Sequence, residues 1–169
     1  MTFDPTVLDH ARRVIDANRT AGLTVVTAES CTGGLVAGAL TEIEGSSDVV
    51  ERGFVTYSNE AKLESLGVSR DILETFGAVS VAVAWAMAQG ALKHSRADVA
   101  VAITGIAGPG GGSAKKPVGT VVFAVARRDD PECKIADTKA FGDLGRSEIR
   151  RQAVLCALEL LIPRGAGEA

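Results

Sequence analysis

A short polar turn at residues 27–35 has the residue types of a nucleophile beside an anion-binding helix end. A β-branched run leads into Thr27-Ala-Glu-Ser-Cys-Thr-Gly-Gly-Leu35, and a small, apolar helical pattern follows. The Ser30 hydroxyl or the neighbouring thiol would therefore stand at the carboxyl edge of a sheet, beside the free N–H groups of a helix's first turn, which can hold an anion. The plainer interpretation is that Ser30 or Thr32 only caps the helix. The turn alone does not decide between the two.

A second segment could supply a base. Gly53-Phe-Val-Thr-Tyr-Ser-Asn-Glu-Ala-Lys62 predicts a strand that ends near Tyr57 or Ser58 and a helix capped by Ser58 or Asn59. Lys62 then falls in the first turns of this helix, where the helix dipole disfavours a cation. A lysine held there away from water loses its proton more readily and could act as a neutral base. An ordinary solvated surface lysine is the alternative.

A third segment is a glycine-rich loop between two predicted strands. The apolar run 97–103 predicts a buried strand, and Thr104-Gly-Ile-Ala-Gly-Pro-Gly-Gly-Gly-Ser-Ala-Lys-Lys-Pro117 follows it. Glycines let a backbone approach a ligand closely. No Gly-Lys-Ser/Thr closes the loop as in a P-loop, and residues 118–125 predict a strand rather than the helix of a dinucleotide fold. We interpret it as a binding loop; the alternative is a mobile linker, which would not need Thr104 at the end of a core strand.

Together the three segments resemble the three motifs of the CinA C-terminal domain, the domain of competence/damage-inducible proteins with nicotinamide-nucleotide amidohydrolase activity. The matching stretches are Ala28-Glu-Ser-Cys-Thr-Gly-Gly34, Thr56-Tyr-Ser-Asn-Glu-Ala-Lys62 and Thr104-Gly-Ile-Ala-Gly-Pro-Gly-Gly-Gly112. They occur in the family's order, and the resemblance covers about residues 5 to 162. Their joint occurrence is far more specific than any one of them.

The resemblance implies hydrolysis of the carboxamide of nicotinamide mononucleotide to nicotinate mononucleotide and ammonia, by a serine–lysine mechanism without a metal or other cofactor. It also implies an α/β protein, a three-layer α/β/α domain with a mixed sheet. Carried over by motif, Ser30 is the nucleophile, Lys62 the general base and Tyr57 their support. The expected substrate-binding residues of the turn and the glycine loop are Cys31, Thr32, Gly33, Gly34, Thr104, Gly105, Gly108, Gly110 and Gly111.

The residues themselves agree with that chemistry. An amide is a poor electrophile and a serine hydroxyl is barely ionised at neutral pH, so the site needs a base and oxyanion donors. No histidine stands in a motif, which leaves Lys62 as the base and the N–H groups after Ser30 as the donors. Tyr57 would hold Lys62 or donate to the oxyanion. Two alternatives stay open: a thiol amidase in which the helix N-terminus lowers the pKa of Cys31, and a non-catalytic nucleotide-binding regulatory module.

A nucleotide substrate carries a phosphate that basic residues must bind. Family members commonly end with Gly-Asp-Arg and a further arginine four residues on, whereas this chain has Phe141-Gly-Asp-Leu-Gly-Arg-Ser-Glu-Ile-Arg150. Arg146 and Arg150 keep the spacing and can share one helix face, but Asp143 is displaced by two residues and takes no role from the resemblance. We expect the two arginines and the glycine loop to bind phosphate, and Lys115 and Lys116 to be solvated loop charges.

Caps and periodicity predict an α/β order that would position these segments. Asp4-Pro5 begins a first helix, and Ser69 and Ser80 cap two later ones. The other predicted helices lie at about 32–42, 59–66 and 147–162, and the predicted strands at 23–28, 50–57, 98–104, 118–127 and 134–141, the last two as a hairpin. We expect a single domain over residues 1–169 with a frayed tail from 163 to 169.

Composition narrows the class of protein. A chain of 169 residues can bury a sizeable core, and a net charge of −3 without a basic block gives nucleic-acid binding little support. Three distant cysteines and two histidines favour a reducing compartment and argue against a zinc site. No apolar run reaches membrane-spanning length and no signal peptide is evident, so we expect a cytoplasmic protein without a membrane partner. We expect its small-molecule substrate to be a nucleotide. We also expect the protein to form a homo-oligomer, with a dimer as the favoured state.

Overall fold

The computed structural model describes residues 3–132 and 135–163, which form a five-stranded sheet with helices on both faces. Cys133 and the tail from residue 164 onward, on which two expectations rested, lie outside the described residues. In chain order the elements are α1 (Pro5–Ala21), β1 (Val25–Glu29), α2 (Leu35–Thr41), a 3-10 turn (Ser46–Asp48), β2 (Val50–Val55), α3 (Asn59–Leu66), α4 (Arg70–Phe76), α5 (Val81–Lys93), β3 (Val99–Gly105), β4 (Thr120–Arg127), β5 (Ile135–Ala140) and α6 (Arg146–Leu160).

The sheet is mixed, with the strand order β2-β1-β3-β4-β5. β1 runs parallel to both of its neighbours, β2 and β3, while β3–β4 and β4–β5 are antiparallel pairs. The chain therefore leaves β1 towards β2 and returns through three helices to β3 on the other side of β1. The carboxyl ends of β2, β1 and β3 meet at one edge of the sheet, and such a switch in strand order is where open α/β sheets bind ligands.

The two faces of the sheet bury different side chains because successive strand residues alternate between faces. Val25, Val101, Ile103 and Phe123 belong to the core beneath α1, α2 and α6. The opposite face is mostly alanine, and α5 packs on it with alanines of its own; these residues are Ala28, Ala84, Ala88, Ala91, Ala100, Ala102, Ala124 and Ala126. The expected three-layer α/β/α arrangement with a mixed sheet is confirmed.

Most predicted caps occur where the sequence places them. The Asp4 carboxylate accepts the N–H groups of Thr6 and Val7, and the hydroxyls of Ser58, Ser69 and Ser80 accept N–H groups at the starts of α3, α4 and α5. α2 begins three residues later than expected because Gly33 and Gly34 have φ values of 61° and 94°, outside the right-handed helical region. Within the described ranges, no helix has both the length and the apolar character needed to cross a membrane.

Candidate active site

Ser30 is the first residue beyond β1, at the edge where the three parallel strands end. Its N–H donates to the carbonyl of Ile103 on β3 (2.9 Å), and its own carbonyl accepts the N–H of Gly33 (3.0 Å), which closes a tight turn. The side chain is 8% exposed and contributes to the wall of a cavity. Ser30 does not cap α2, since no side chain caps that helix from the position before it.

Lys62, the fourth residue of α3, extends beneath the turn to Ser30. Its Nζ lies 3.0 Å from Ser30 Oγ, 2.9 Å from the carbonyl oxygen of Thr56 and 3.5 Å from that of Tyr57. The side chain is 1% exposed, and its burial lowers the pKa of the ammonium group below the usual value. The alternative of a solvated surface lysine is therefore wrong.

The three oxygens around Nζ suit an uncharged amine. A neutral lysine has two N–H donors and one lone pair, so the two carbonyls can accept its protons while the lone pair accepts the Ser30 hydroxyl proton. Among residues 3–132 and 135–163, no carboxylate bonds to Nζ in a way that would favour the ammonium form. The arrangement can thus remove a proton from Ser30.

A cavity of about 270 Å³ opens over Ser30. Its lining includes nine of the predicted site residues: Ser30, Cys31, Tyr57, Thr104, Gly105, Gly108, Gly110, Gly111 and Arg146. The other five predicted site residues do not line it; they are Thr32, Gly33, Gly34, Lys62 and Arg150. The sequence did not reveal Ala78 and Val79, which form the apolar part of the wall together with Ile106 and Ala107 of the glycine loop; the segment between α4 and α5 carries no motif that could have indicated them.

Tyr57 and Arg146 meet across the cavity mouth. The Tyr57 side chain is 58% exposed, and its hydroxyl oxygen accepts a hydrogen bond from Arg146 Nη2 (2.7 Å). Arg146 Nη1 also donates to the carbonyl of Gly108 in the glycine loop (2.9 Å). Tyr57 was expected to hold Lys62. Its backbone carbonyl accepts a hydrogen bond from Lys62 Nζ, whereas its phenol contacts Arg146.

Arg150 lies on the other side of the Ser30 turn. Its Nε donates to the carbonyl of Cys31 and its Nη2 to the carbonyl of Thr32, both at 3.1 Å. The two arginines therefore have different surroundings, and only Arg146 reaches the cavity over Ser30.

Glu29 is a site residue that sequence reasoning missed. Its side chain is fully buried, and its carboxylate accepts the N–H groups of Gly34 (3.0 Å), Val36 (3.1 Å) and Ala37 (2.9 Å). The expectation that the first-turn N–H groups of this helix are free to hold an anion is wrong for these three, since a carboxylate of the chain itself already occupies them. A glutamate in an otherwise apolar or β-branched strand was the available signal.

Two further contacts shape the cavity. The buried Thr104 hydroxyl donates to the carbonyl of Ala78 (2.8 Å) and so holds the apolar wall against the end of β3. Lys116 Nζ donates to the carbonyl of Phe76 (2.9 Å), which ties the glycine loop to the end of α4. Lys116 is thus a loop charge with one backbone partner in an exposed hydrogen bond, and Lys115 is exposed.

Cys31 is 5% exposed, and burial raises the pKa of its thiol to about 11. The expected lowering by the helix N-terminus is wrong, because desolvation dominates and the nearest N–H groups of α2 already serve Glu29. In the described part of the chain, no group of three or more His, Cys, Asp or Glu side chains is placed to hold a metal ion.

The fold and the site define a three-layer α/β/α protein with a buried serine–lysine pair at the switch point of its sheet. The chain belongs to the CinA C-terminal domain family, whose model matches residues 8–164. It is 52% identical to the nicotinamide-nucleotide amidohydrolase PncC of Escherichia coli K12 over 94% of both chains.

Solved structures give the same assignment. The competence/damage inducible protein CihA of Agrobacterium tumefaciens is 56% identical, with a TM-score of 0.92 over 96% of this chain and 97% of that one. The competence damage-inducible protein A (ComA) of Klebsiella pneumoniae is 33% identical, with a TM-score of 0.88 over 96% of this chain and 99% of that one.

Proposed function

We propose that the chain is a nicotinamide-nucleotide amidohydrolase that converts nicotinamide mononucleotide to nicotinate mononucleotide and ammonia. The relative from Escherichia coli carries that activity in its name and matches over nearly its whole length. The observation that carries the mechanism is the 3.0 Å contact between Lys62 Nζ and Ser30 Oγ, away from water and at the wall of a cavity.

Acylation begins with proton transfer inside this pair. Neutral Lys62 accepts the hydroxyl proton while Ser30 Oγ attacks the carboxamide carbon, which gives a tetrahedral intermediate with a negatively charged oxygen. The N–H groups of Cys31 and Thr32 are the remaining donors of the turn, because neither donates to an oxygen among the described residues. Of the two, Cys31 lines the cavity whereas Thr32 is fully buried, so we assign the oxyanion donor of this turn to the N–H of Cys31.

Departure of ammonia returns the proton. The Lys62 ammonium donates to the leaving nitrogen as the C–N bond breaks, which leaves a Ser30 ester of the nicotinate group and a neutral lysine. Water then attacks the ester with Lys62 again as the base, and the nicotinate product leaves Ser30 protonated.

The cavity offers a place for each part of the substrate. Ala78, Val79, Ile106 and Ala107 present apolar surface for a flat pyridine ring. For the phosphate, the free N–H groups of the glycine loop and the guanidinium of Arg146 lie on the same wall. We keep Arg146 as the phosphate-binding arginine of the proposal.

The alternatives have less support. A thiol nucleophile at Cys31 would have to ionise against a pKa of about 11. A purely regulatory nucleotide-binding module would have no need of a lysine buried against a serine.

Ammonia release from nicotinamide mononucleotide by the purified protein tests the proposal, with Ser30→Ala as the matched inactive variant. Turnover by the parent and a loss of several orders of magnitude in the variant support it. Binding of the nucleotide without ammonia release would reject the enzymatic function in favour of the regulatory one.

A further inference from the structure

We propose that Arg150 and Glu29 are positioning residues that hold the Ser30 turn, residues 30–34, so that the N–H group of Cys31 is presented as the oxyanion donor. This inference rests on the proposed amidohydrolase reaction and assigns two residues to it that do not touch the substrate. It also means that Arg150 does not bind the phosphate, contrary to the expectation from the sequence.

Peptide planarity makes the Arg150 contact directional. In a trans peptide the C=O and the following N–H point in opposite directions. Arg150 Nε holds the carbonyl of Cys31, so the N–H of Thr32 in the same peptide plane points away from the guanidinium. The carbonyl of Ser30 is held by the N–H of Gly33, which fixes the N–H of Cys31 in the same way.

A planar guanidinium suits this task better than an ammonium group would. Nε and Nη2 bond two successive carbonyls at equal distances of 3.1 Å, which needs two donors in a rigid plane. Gly33 has a φ of 61°, a backbone conformation that favours glycine. A Cβ at this position would be in ordinary contact with Arg150 Nη2, at 3.5 Å. Arg150 thus fixes the orientation of two peptide units with one side chain.

Glu29 holds the other end of the turn. Its carboxylate bonds the N–H groups of Gly34, Val36 and Ala37, so the start of α2 cannot rotate towards the cavity without breaking three hydrogen bonds. Charge-assisted hydrogen bonds of this kind are stronger than neutral ones. With the helix donors occupied and Thr32 fully buried, the N–H of Cys31 is the unoccupied donor of this turn on a residue that lines the cavity.

The position of Arg150 agrees with a role behind the turn. It does not line the cavity over Ser30 but lines a second cavity of about 280 Å³, together with Phe3, Asp4, Leu35 and Arg151. A substrate bound over Ser30 is therefore separated from the guanidinium by the backbone of the turn itself.

The test compares Arg150→Lys and Arg150→Met with Arg151→Met, using nicotinamide mononucleotide and nicotinamide riboside as substrates. Arg151 is the next residue of α6, and its side chain pairs with Asp4 and Glu148 rather than with the turn. We expect the Arg150 variants to lower kcat by about 10²–10³, the cost of losing an oxyanion donor, by the same factor for both substrates and with little change in KM. Arg151→Met should keep the parental kcat.

Chemical rescue separates this role from damage to the fold. Arg150→Ala would leave a space that opens on the second cavity. Millimolar guanidinium should replace the two lost donors and raise the kcat of this variant at least about tenfold. Arg151→Ala, treated in the same way, should show no gain. Glu29→Gln keeps the shape of the side chain but replaces one carboxylate oxygen, an acceptor, with an NH2 group. This variant should also lower kcat by the same factor for both substrates.

A rise in KM confined to the nucleotide, with kcat unchanged, would return Arg150 to phosphate binding and overturn the inference. If the parent releases no ammonia from either substrate, the proposed function fails instead. In that case, the rate at which a small fluorophosphonate labels Ser30 tests the turn without a pyridine substrate: slower labelling of Arg150→Met supports the positioning role, and parental labelling refutes it.

Discussion

Gly90 on α5 lies directly against the carbonyl oxygen of Leu66 at the end of α3. A Cβ built at residue 90 would overlap that oxygen and approach the Leu66 side chain to 3.0 Å. The two helices are therefore in backbone contact, and no other residue type fits at position 90 without moving α3. Because α3 carries Lys62, this contact sets the distance between the lysine and Ser30.

We expect Gly90→Ala to displace α3, to destabilise the protein by about 1–3 kcal/mol through overpacking, and to lower kcat through the misplaced amine. Gly38→Ala is the matched control, because its Cβ would meet only the ring of Phe3, at 3.2 Å. Urea unfolding and ammonia release measure both effects. Parental activity in Gly90→Ala would show that the helix contact does not position Lys62.

Ser30→Ala should reduce turnover by several orders of magnitude, as removal of a catalytic serine does in other hydrolases. Cys31→Ala should keep most of the activity, because its buried thiol stays protonated and contributes only volume. Steady-state kinetics of the two variants distinguish the residues. An inactive Cys31→Ala beside an active Ser30→Ala would reverse the assignment of the nucleophile.

Lys62→Arg should be almost inactive, since a guanidinium keeps its charge at any working pH and cannot accept the serine proton. In the parent, kcat/KM should rise with pH on a limb that reflects the lowered pKa of Lys62. A pH–rate profile of the parent and a single-pH assay of the variant are sufficient. Near-normal turnover by the arginine variant would mean that residue 62 only supplies charge.

Burial of Lys62 also makes the stability of the fold depend on pH. Between the lowered pKa of the folded state and the usual value of 10.5, the unfolded chain binds a proton that the folded chain does not, so the free energy of unfolding of the parent rises with pH. Below this window both states are protonated and the cost of burying the ammonium is complete; above it both are neutral and the cost disappears.

The measurement compares the parent with Lys62→Met in urea between about pH 7 and about pH 10. We expect the stability of the variant relative to the parent to decrease as pH rises. A difference that does not change with pH would contradict the assigned desolvation.

The phosphate site predicts a preference for nucleotide over nucleoside. Charge-assisted hydrogen bonds contribute roughly 1.5–3 kcal/mol each, so losing two should cost the riboside about 10²–10⁴ in kcat/KM. Arg146→Ala should narrow that gap by weakening only the nucleotide. Equal turnover of both substrates by the parent would remove the phosphate site, and an unchanged ratio in Arg146→Ala would move it to the glycine loop.

The sequence predicts local structure here because the determinants are local. Asp4, Ser69 and Ser80 cap their helices through bonds to residues two or three positions away. The pairing of Ser30 with Lys62 was expected from the family resemblance and from the lack of a histidine in the motifs. The distance of 3.0 Å could not be read from the sequence, because it depends on how closely α3 packs on α5.

The spacing of Arg146 and Arg150 suggested one shared role, whereas the structure gives them different contacts. Residues four apart share a helix face but lie about 6 Å apart along the axis. Arg146 at the first residue of α6 therefore reaches the cavity mouth, whereas Arg150 passes behind the turn. The partners of Glu29 are backbone N–H groups, which a sequence does not identify, so the glutamate within an apolar strand was the one signal of its role.

The three segments around the cavity come from strand ends that are distant along the chain. β1 pairs Val25 with Val99, which closes a loop of 74 positions, and closing such a loop costs entropy before any contact is gained. Ser30 and Lys62 can meet only when β2 and β3 are both in register on β1. During refolding, ammonia release should therefore return when the last long-range strand pairing forms. Enzymatic activity would then measure the fraction of molecules whose central sheet is complete.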